Sequence, residues 1–401
     1  MTSLSLRAPA ATVAGLALVV LCACNSAAPT TTASGGSQPV VSSPTPSATA
    51  SPIPSVAAVA EPVGVAVPAG FVPASVTFVS TQQGWVLGTA PCSSSSRCLT
   101  LLRTENGGQS WMSVPAPAAA FSSNPNPGGH GAGEVRFADA LNGWVFGPEL
   151  WATHDGGTTW TRISLPGVSA NAAVVTLAAA AGVVHAAVFD QRVGIDTSQV
   201  GRDDWSASST SIQFGAGPIP RAQLVLQGSA GWLIEVDRTV VGGARLGAGL
   251  WSAWVPPCSN AGGDAIIDAS TANSLFAVCN EGVWNGAGPV TRAYLSTDAG
   301  NSFARAPATV PVGNADEVAA STSRSAVVAA HTNGGGINQL LVTGDGGASW
   351  SVVYHGPGTG VANDLGFTTA QQGVVVEVDG ASSALLMTVD GGHTWSPVSF
   401  H

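Results

Sequence analysis

Short apolar segments alternate with turns along most of the chain, and one eight-residue pattern recurs in the turns. The pattern is Ser/Thr-x-Asp/Asn-x-Gly-x-x-Trp/Phe. In five copies its third position is held by Asn106, Asp155, Asp298, Asp345 and Asp390. Each copy follows one apolar segment and precedes another, as with residues 339–342 and 350–353. The motif therefore predicts a hairpin turn between two strands.

The residue types in the motif suggest how this turn is built. The Asp or Asn side chain accepts hydrogen bonds from backbone N–H groups two residues further on, and the glycine supplies a positive φ that other residues resist. The aromatic residue opens the returning strand and buries about 150–250 Å² beneath the turn. We therefore predict that these Asp and Asn residues are structural, and neither catalytic nor metal-binding.

The number of aromatic residues in these turns gives the number of structural units. Including two eroded copies, they stand 45 to 49 residues apart and are Trp111, Trp160, Trp205, Trp254, Phe303, Trp350 and Trp395. A second marker, Gly-Trp after an apolar strand, occurs at Trp85, Trp144 and Trp232. A repeat of this length holds four short strands with their turns, which is typical of a β-propeller blade. The predicted fold class is all-β, a seven-bladed β-propeller of four-stranded antiparallel blades.

The first 67 residues differ in composition from the rest. An apolar run over residues 11–21 leads into Leu21-Cys22-Ala23-Cys24, which resembles the lipobox of bacterial lipoproteins. That resemblance implies cleavage before Cys24, its diacylation, and a location on the outer face of the cell membrane. Residues 25–55 are rich in Ser, Thr and Pro and contain no charged or aromatic residue, so they cannot bury enough apolar surface to fold.

The domain organisation follows from these two shifts in composition. We predict a lipoprotein signal peptide over residues 1–23, a tether over 24–67 and the propeller over 68–401. Residues 63–67 are a candidate for an additional edge strand on the ring.

The paired markers also resemble those of a known family. The turns are similar to the Asp-box, or BNR, repeats of sialidases and related propellers. Their combination with Gly-Trp is most similar to the photosystem II assembly factor-like group. The resemblance covers roughly residues 72–401 and is weakest in the third and fourth blades. It implies the fold and little about activity, because such repeats occur in proteins of unrelated function.

Four cysteines remain in the predicted mature body, an even number that favours two disulfides in an exported chain. We expect Cys92 to pair with Cys98 inside blade one, and Cys258 to pair with Cys279 between blades four and five. No histidine lies at ligand spacing from any of them, so we predict no metal centre there. No cofactor is expected, and a structural or channel-bound cation such as calcium is left open.

A sialidase-like activity needs groups that this chain does not obviously supply. The resemblance implies three arginines, a tyrosine nucleophile and a glutamate for that activity. Only Arg136 and Arg221 lie on predicted inner strands, and the only tyrosines, Tyr294 and Tyr354, fall on predicted outer strands. We predict a non-catalytic protein, with glycan binding or sialidase-like glycoside hydrolysis as the alternative.

The inner strands of the predicted ring carry an excess of acidic residues. We aligned the seven inner strands on their aromatic or aliphatic anchor residue. The position three residues before that anchor is held by Ser75, Glu134, Val174, Gln223, Asp264, Glu317 and Asp364. The starts of these strands crowd the mouth of the central channel, and crowded carboxylates raise one another's pKa or recruit a cation. We predict a negatively charged funnel for a cation or a basic peptide, with Arg136 offsetting part of the charge. The open alternative is that these side chains are solvated and point apart.

Two connections on the same face are further candidates for binding, because surface loops on a rigid scaffold often carry recognition. The first is residues 115–133, which contains Phe121. The second is residues 279–292, which presents Glu281 and Trp284 beside a predicted disulfide.

Composition narrows the choice of partner. Charged residues make up 9% of the chain, all thirteen basic residues are arginine, and the net charge is −10. This balance excludes a basic nucleic-acid-binding surface. We predict a lipid-anchored monomer outside the membrane that binds a protein or peptide partner and assists the assembly of an exported complex. A purely structural role in the cell envelope is left open.

Overall fold

The computed structural model describes residues 65–93, 95–212, 221–237, 239–259, 262–282, 290–331, 338–356, 360–379 and 383–400. These residues form seven antiparallel sheets of four strands each, and no helix occurs among them. The predicted seven-bladed β-propeller is confirmed. The predictions for Cys24, for most of the tether and for Trp284 concern residues outside these ranges.

The twenty-eight strands follow one another in chain order, four to a blade. Blade one contains β1 (Val72–Phe78), β2 (Gly84–Ala90), β3 (Cys98–Thr104) and β4 (Met112–Val114). Blade two contains β5 (Glu134–Phe137), β6 (Gly143–Phe146), β7 (Leu150–Thr153) and β8 (Thr161–Ile163). Blade three contains β9 (Ala173–Ala180), β10 (Val183–Phe189), β11 (Val193–Gln199) and β12 (Ser206–Ile212). Blade four contains β13 (Arg221–Gln227), β14 (Ala230–Asp237), β15 (Thr239–Gly247) and β16 (Leu250–Trp254).

The remaining three blades repeat the same order. Blade five contains β17 (Asp264–Ala269), β18 (Leu275–Glu281), β19 (Val290–Ser296) and β20 (Ala304–Thr309). Blade six contains β21 (Asn314–Ala320), β22 (Ala326–His331), β23 (Asn338–Thr343) and β24 (Ser351–His355). Blade seven contains β25 (Val361–Phe367), β26 (Gly373–Val378), β27 (Ala384–Thr388) and β28 (Ser396–Pro397).

The core lies between neighbouring blades. The second strand of a blade is buried on both faces, as in β2, where all seven residues are buried. The tryptophan of the Gly-Trp marker packs against the next blade, and the ring of Trp85 stacks on that of Phe137 with centroids 3.8 Å apart. The glycine before it makes room for the aromatic ring that ends the first strand, because a Cβ at Gly84 would lie 2.7 Å from the Phe78 ring.

The ring closes by packing of blade seven on blade one, without an exchange of strands between these two described sheets. The Phe71 and Phe400 rings meet edge to face with centroids 5.0 Å apart, within an apolar cluster that both blades share. The candidate edge strand over residues 63–67 is present at Val65, which forms an antiparallel bridge with Ser113 on β4.

The recurrent turn is held by hydrogen bonds that reach further than predicted. In all five copies Oδ1 of the Asp or Asn accepts the N–H four residues on, at 2.9 Å from Thr159 to Asp155. The N–H two residues on is therefore not the partner, and that detail of the prediction was wrong. The preceding Ser or Thr hydroxyl completes the turn, as Thr153 Oγ1 accepts the Gly157 N–H at 3.0 Å. The Ser302 hydroxyl, which donates to Asp298, lowers the pKa of that carboxyl to about 2.

Two positions in blades four and five differ from the sequence prediction. Trp251, and not Trp254, is the blade-four aromatic that packs back against blade three, while Trp254 faces blade five and donates to the Gly300 carbonyl at 2.9 Å. The two markers lie three residues apart, so spacing alone could not separate them. Tyr294 lies on β19, the third strand of its blade, and not on the outer strand as predicted.

Both predicted disulfides, Cys92–Cys98 and Cys258–Cys279, are present. The second links the end of blade four to the second strand of blade five, so it joins two sheets that are consecutive in the ring. Among the described residues, no helix is long and apolar enough to cross a membrane.

A single substitution in the blade-five turn is expected to stabilise the protein. Ala299 adopts φ of 60°, where four other turns have glycine, and the left-handed conformation costs an L-residue roughly 1–2 kcal/mol. Glycine's greater unfolded-state entropy offsets roughly 0.5–1 kcal/mol of the gain. Ala299→Gly should therefore raise the free energy of unfolding by up to about 1 kcal/mol in urea titrations. Ala253→Gly, on the exposed edge of β16, is the control and should lower it.

Candidate functional site

The first strands of the blades surround a central channel, and part of its wall encloses a cavity of about 400 Å³. Because side chains at positions i and i+2 of a strand share one face, each of these strands presents alternate residues to the channel. Five carboxylates and two guanidinium groups line the cavity, from Glu134, Asp268, Asp316, Glu317, Asp364, Arg136 and Arg221. The described structure therefore brings most of the predicted acidic residues to one place.

The aligned polar side chains connect neighbouring blades. Ser75 Oγ accepts the Val135 N–H at 3.0 Å, Gln223 Oε1 accepts the Ile267 N–H at 2.8 Å and Glu317 Oε2 accepts the Leu365 N–H at 3.0 Å. In each case the donor belongs to the first strand of the next blade. These side chains thus satisfy backbone groups that the free inner edges would otherwise leave unpaired. Glu317, the one acid in this set, is therefore bonded across the blade boundary and is not a solvated strand end that points away from the ring.

Asp364 is the residue that links blade seven to blades one and two. It adopts φ of 56° within a bulge between Asn363 and Gly366, and a bulge re-aims the side chains around it. Its Oδ2 accepts the Val76 N–H at 2.9 Å, and its Oδ1 accepts a hydrogen bond from the Arg136 guanidinium. Only 5% of the Asp364 side-chain surface is exposed, so loss of either partner would leave a buried carboxylate without compensation.

Arg136 is the one guanidinium that serves several carboxylates of the cavity. Besides Asp364, it lies 3.9 Å from Glu134, and its pKa is raised by the charges of Asp364 and Glu134, although burial opposes this. The single positive charge of Arg136 therefore interacts with three carboxyl groups, because the charge of Glu317 also raises the pKa of Arg136.

The protonation of the two glutamates reflects this shortage of positive charge. Burial, followed by the charge of Asp364, raises the pKa of Glu134 to about 8. The same two causes raise the pKa of Glu317 to about 8. Glu134 still exposes 37% of its side-chain surface to the channel, so a ligand in the cavity can reach it. An incoming positive charge would favour the ionised form of both groups.

Asp264, which the sequence placed in the same group, does not line the cavity among the described residues. Its carboxylate accepts a hydrogen bond from Asn280 at 2.7 Å and lies 3.8 Å from the exposed guanidinium of Arg221. Glu281 is likewise occupied within its own blade. It ends β18, where it pairs with the Arg292 guanidinium at 2.8 Å and accepts a hydrogen bond from the Tyr294 hydroxyl.

One lining carboxylate, that of Asp268, escaped the sequence interpretation. Asp268 accepts the Ala320 N–H of the next blade at 2.8 Å, and burial raises its pKa to about 6. It stands four positions after Asp264 on the same strand, so two-residue alternation puts both on one face and could have identified it. Asp316 is paired with His331 at 2.9 Å. In the part of the chain that the structure describes, no three His, Cys, Asp or Glu side chains are grouped to hold a metal ion.

Both tyrosines are bonded to glutamates, away from the channel cavity. Tyr354 on β24 donates to Glu377 at 3.0 Å, and burial together with that carboxylate raises the pKa of Tyr354 to about 12. Burial and Glu281 raise the pKa of Tyr294 as well. A tyrosine nucleophile needs easier deprotonation, so these environments work against such a role.

Comparison with solved structures places the chain among β-propellers. It is similar to YCF48 solved with a D1 peptide, with a TM-score of 0.54 and 18% identity over 82% of this chain and 96% of that one. YCF48 from Cyanidioschyzon merolae gives a TM-score of 0.52 and 19% identity over 82% and 99%. A puromycin-hydrolyzing peptidase from Mycobacterium tuberculosis gives 0.52 and 12% identity, covering 84% of this chain and 56% of that one.

No family model and no curated protein matches the chain. At these identities the likeness to solved structures shows the fold alone. The predicted similarity to the photosystem II assembly factor-like group is confirmed at that level.

Proposed function

We propose that this propeller binds a basic peptide segment of a protein partner in its central channel and thereby assists the assembly of an exported complex. The observation that carries the proposal is the excess of carboxylates over guanidinium groups in a cavity open to the channel. Electrostatic complementarity of this kind mainly sets specificity and the rate of association. The solved YCF48 structure with a D1 peptide supports a peptide as the class of ligand for this fold.

The proposal also places the protein outside the cell. Two sequence features support a lipid anchor and a tether on the outer face of the cell membrane. They are the lipobox-like sequence at Cys24 and the Ser/Thr/Pro-rich residues that follow it. Two acyl chains on one residue would make such an anchor stable, whereas a single chain gives marginal binding. Loss of membrane-fraction recovery in a Cys24→Ala variant of the full-length chain would support this part.

Neutralising the two channel glutamates is expected to weaken peptide binding. A fluorescently labelled penta-arginine peptide is the probe, because its charge stays constant across the pH range used. We expect the Glu134→Gln, Glu317→Gln variant to bind it at least about tenfold more weakly than the unchanged chain, a loss of about 1.4 kcal/mol. Glutamine keeps a carbonyl that can accept the Leu365 N–H, so the blade contact is retained.

The same measurement at several pH values tests the protonation of the site. Because the pKa of each glutamate is about 8, both are mostly protonated at pH 6 and ionised at pH 9. Fluorescence anisotropy should therefore show tighter binding as the pH rises. Between pH 7 and pH 9 this dependence should be lost in the double glutamine variant, because Asp268, with a pKa of about 6, is already ionised there.

The matched control is the Glu105→Gln, Asp139→Asn variant. It removes two charges that follow the ends of β3 and β5, on the face of the ring opposite to the one where the first strands begin. It should bind the peptide as the unchanged chain does. Equal weakening in both variants would mean that only net charge matters, and an affinity that does not respond to the channel substitutions would refute the site.

A further inference from the structure

A second cavity, of about 850 Å³, opens over blade one at the end of the ring where the first strands begin. It lies between the starts of β1 and β3 and the connection that follows β4. Apolar side chains dominate its walls and include Val72, Pro73, Leu99, Ala118, Phe121 and Val378. A volume of this size is typical of sites that take small molecules or short peptide segments. We refer to it as the blade-one groove.

One cation stands at the blade-one groove. The exposed Arg97 is oriented by three neutral acceptors: Thr89 Oγ1 at 2.7 Å, the Thr89 carbonyl at 2.8 Å and the Gly70 carbonyl at 3.1 Å. Among the described residues no carboxylate lies within ion-pair distance of it. A guanidinium held in one orientation is suited to receive a carboxylate.

The chain enters the described structure beside this groove. Val65 and Ser113 exchange both backbone hydrogen bonds, at 3.0 and 2.7 Å. Because this pairing is antiparallel, the residues before Val65 run alongside the residues that follow Ser113. Those residues lead from Val114 into residues 117–121, which form one wall of the groove.

The segment before Val65 matches the groove in chemistry and in reach. Residues 58–64 read Ala-Val-Ala-Glu-Pro-Val-Gly, and Glu61 is the first acidic residue of the chain. The four residue-to-residue steps from Glu61 to Val65 span at most about 14 Å when extended. That length corresponds to about three strand spacings. The turn that carries Arg97 lies two to three strand positions from Val65, because β4 and β3 stand between them.

We propose that residues 58–61 occupy the blade-one groove of their own chain, with Glu61 paired to Arg97 and Val59 on the apolar walls. A short tether holds this segment at an effective concentration on the order of millimolar. Contacts that would bind a free peptide only weakly are then sufficient to keep the groove filled.

Hydrogen exchange of the full-length chain, followed by mass spectrometry, tests the proposal. Amides of residues 58–61 should exchange about tenfold more slowly than those of residues 40–49, after correction for intrinsic rates. Glu61→Arg should remove that protection and speed exchange in residues 117–121. Arg97→Glu alone should do the same, and the double charge swap should restore protection to within about threefold.

Ser51→Arg is the control, because it introduces an arginine outside the proposed segment; it changes the net charge by one, where Glu61→Arg changes it by two. It should leave the exchange of residues 58–61 unchanged. Glu61→Arg alters a residue outside the described strands, so its result does not depend on the folding of the Arg97 variant.

Three outcomes would overturn the proposal. The first is exchange of residues 58–61 at the rate of residues 40–49, and the second is failure of the charge swap to restore protection. The third is protection that increases with protein concentration, which would assign the groove to a second copy of the chain.

Discussion

Replacing Arg136 by glutamine is expected to lower the free energy of unfolding by roughly 2–4 kcal/mol at pH 9. The substitution leaves Asp364, with 5% of its side chain exposed, and two nearby glutamates without their shared positive charge. Removing one partner of a fully buried ion pair costs roughly 3–5 kcal/mol. The expected value is lower because 30% of the Arg136 side chain is exposed to the channel. Urea unfolding followed by tryptophan fluorescence gives the difference.

The cost of this substitution should shrink as the pH falls. A carboxyl whose pKa is higher in the folded than in the unfolded state stabilises the fold most below its unfolded value, and this contribution is lost as the pH rises through the folded value. For Glu134 and Glu317 that window runs from about 4.5 to about 8. At pH 5 both are protonated, so the Arg136→Gln variant has fewer uncompensated charges there than at pH 9.

Two further variants distinguish the ion pair from general damage. Adding Asp364→Asn to Arg136→Gln should recover part of the stability, because it removes the most buried unpaired charge. Arg221→Gln is the matched control on another first strand. Its guanidinium is 63% exposed and 3.8 Å from Asp264, so its loss should cost at most about 1 kcal/mol. A similar cost for both arginines would contradict the assigned role of Arg136.

The repeat explains why the architecture was predictable from the sequence. The turn motif and the Gly-Trp marker each recur with the length of one blade, and each is tied to a local requirement. Gly156 and Gly157 both have positive φ, and Gly84 leaves room for the Phe78 ring. Local requirements of this kind can be recognised in the sequence without knowledge of contacts between distant residues. Cys258 and Cys279 were likewise paired correctly, because strand order in the blades placed both on one face.

The features that could not be predicted correctly from the sequence depend on contacts between blades. Trp251 and Trp254 are equivalent in a spacing argument, and only the packing against blades three and five distinguishes them. The bulge that turns Asp364 toward Arg136 interrupts the regular pairing of β25 and has no signature in the local sequence. Asp268, by contrast, could have been predicted from the sequence. Two-residue alternation along β17 puts it on the same face as Asp264, which the alignment had already singled out.

The channel itself was predictable only as a region. Aligning the first strands identified Glu134, Glu317 and Asp364, since one register repeats in every blade. The alignment did not reveal that Glu317 and Asp364 also accept backbone N–H groups of the next blade. These carboxylates therefore hold the ring together and supply charge at the same time. Glu134 accepts no backbone N–H of another blade among the described hydrogen bonds, and its one contact across the blade boundary is with the Ser75 side chain. It is therefore the more informative single position for binding.

Replacing Trp85 by alanine is expected to cost about 3–5 kcal/mol of unfolding free energy, the range for a large aromatic removed from a core. Trp85 is fully buried, stacks on Phe137 of blade two and lies 5.6 Å beneath the guanidinium carbon of Arg103. Alanine would leave a cavity between two blades that the rigid sheets cannot close. Urea unfolding at pH 7 measures the loss.

Trp254→Ala provides the comparison, because sequence spacing alone made Trp254 a core marker of blade four. The structure places it half-buried at the end of β16, so its removal should cost less than that of Trp85 or Trp251. Trp251 is 8% exposed and packs within the cluster between blades three and four. We expect the order Trp85, Trp251, Trp254 in decreasing loss of stability. If Trp254→Ala proves as damaging as Trp251→Ala, then the assignment of the blade-four marker from packing is wrong, and the even spacing of the turns would be the better guide to the core.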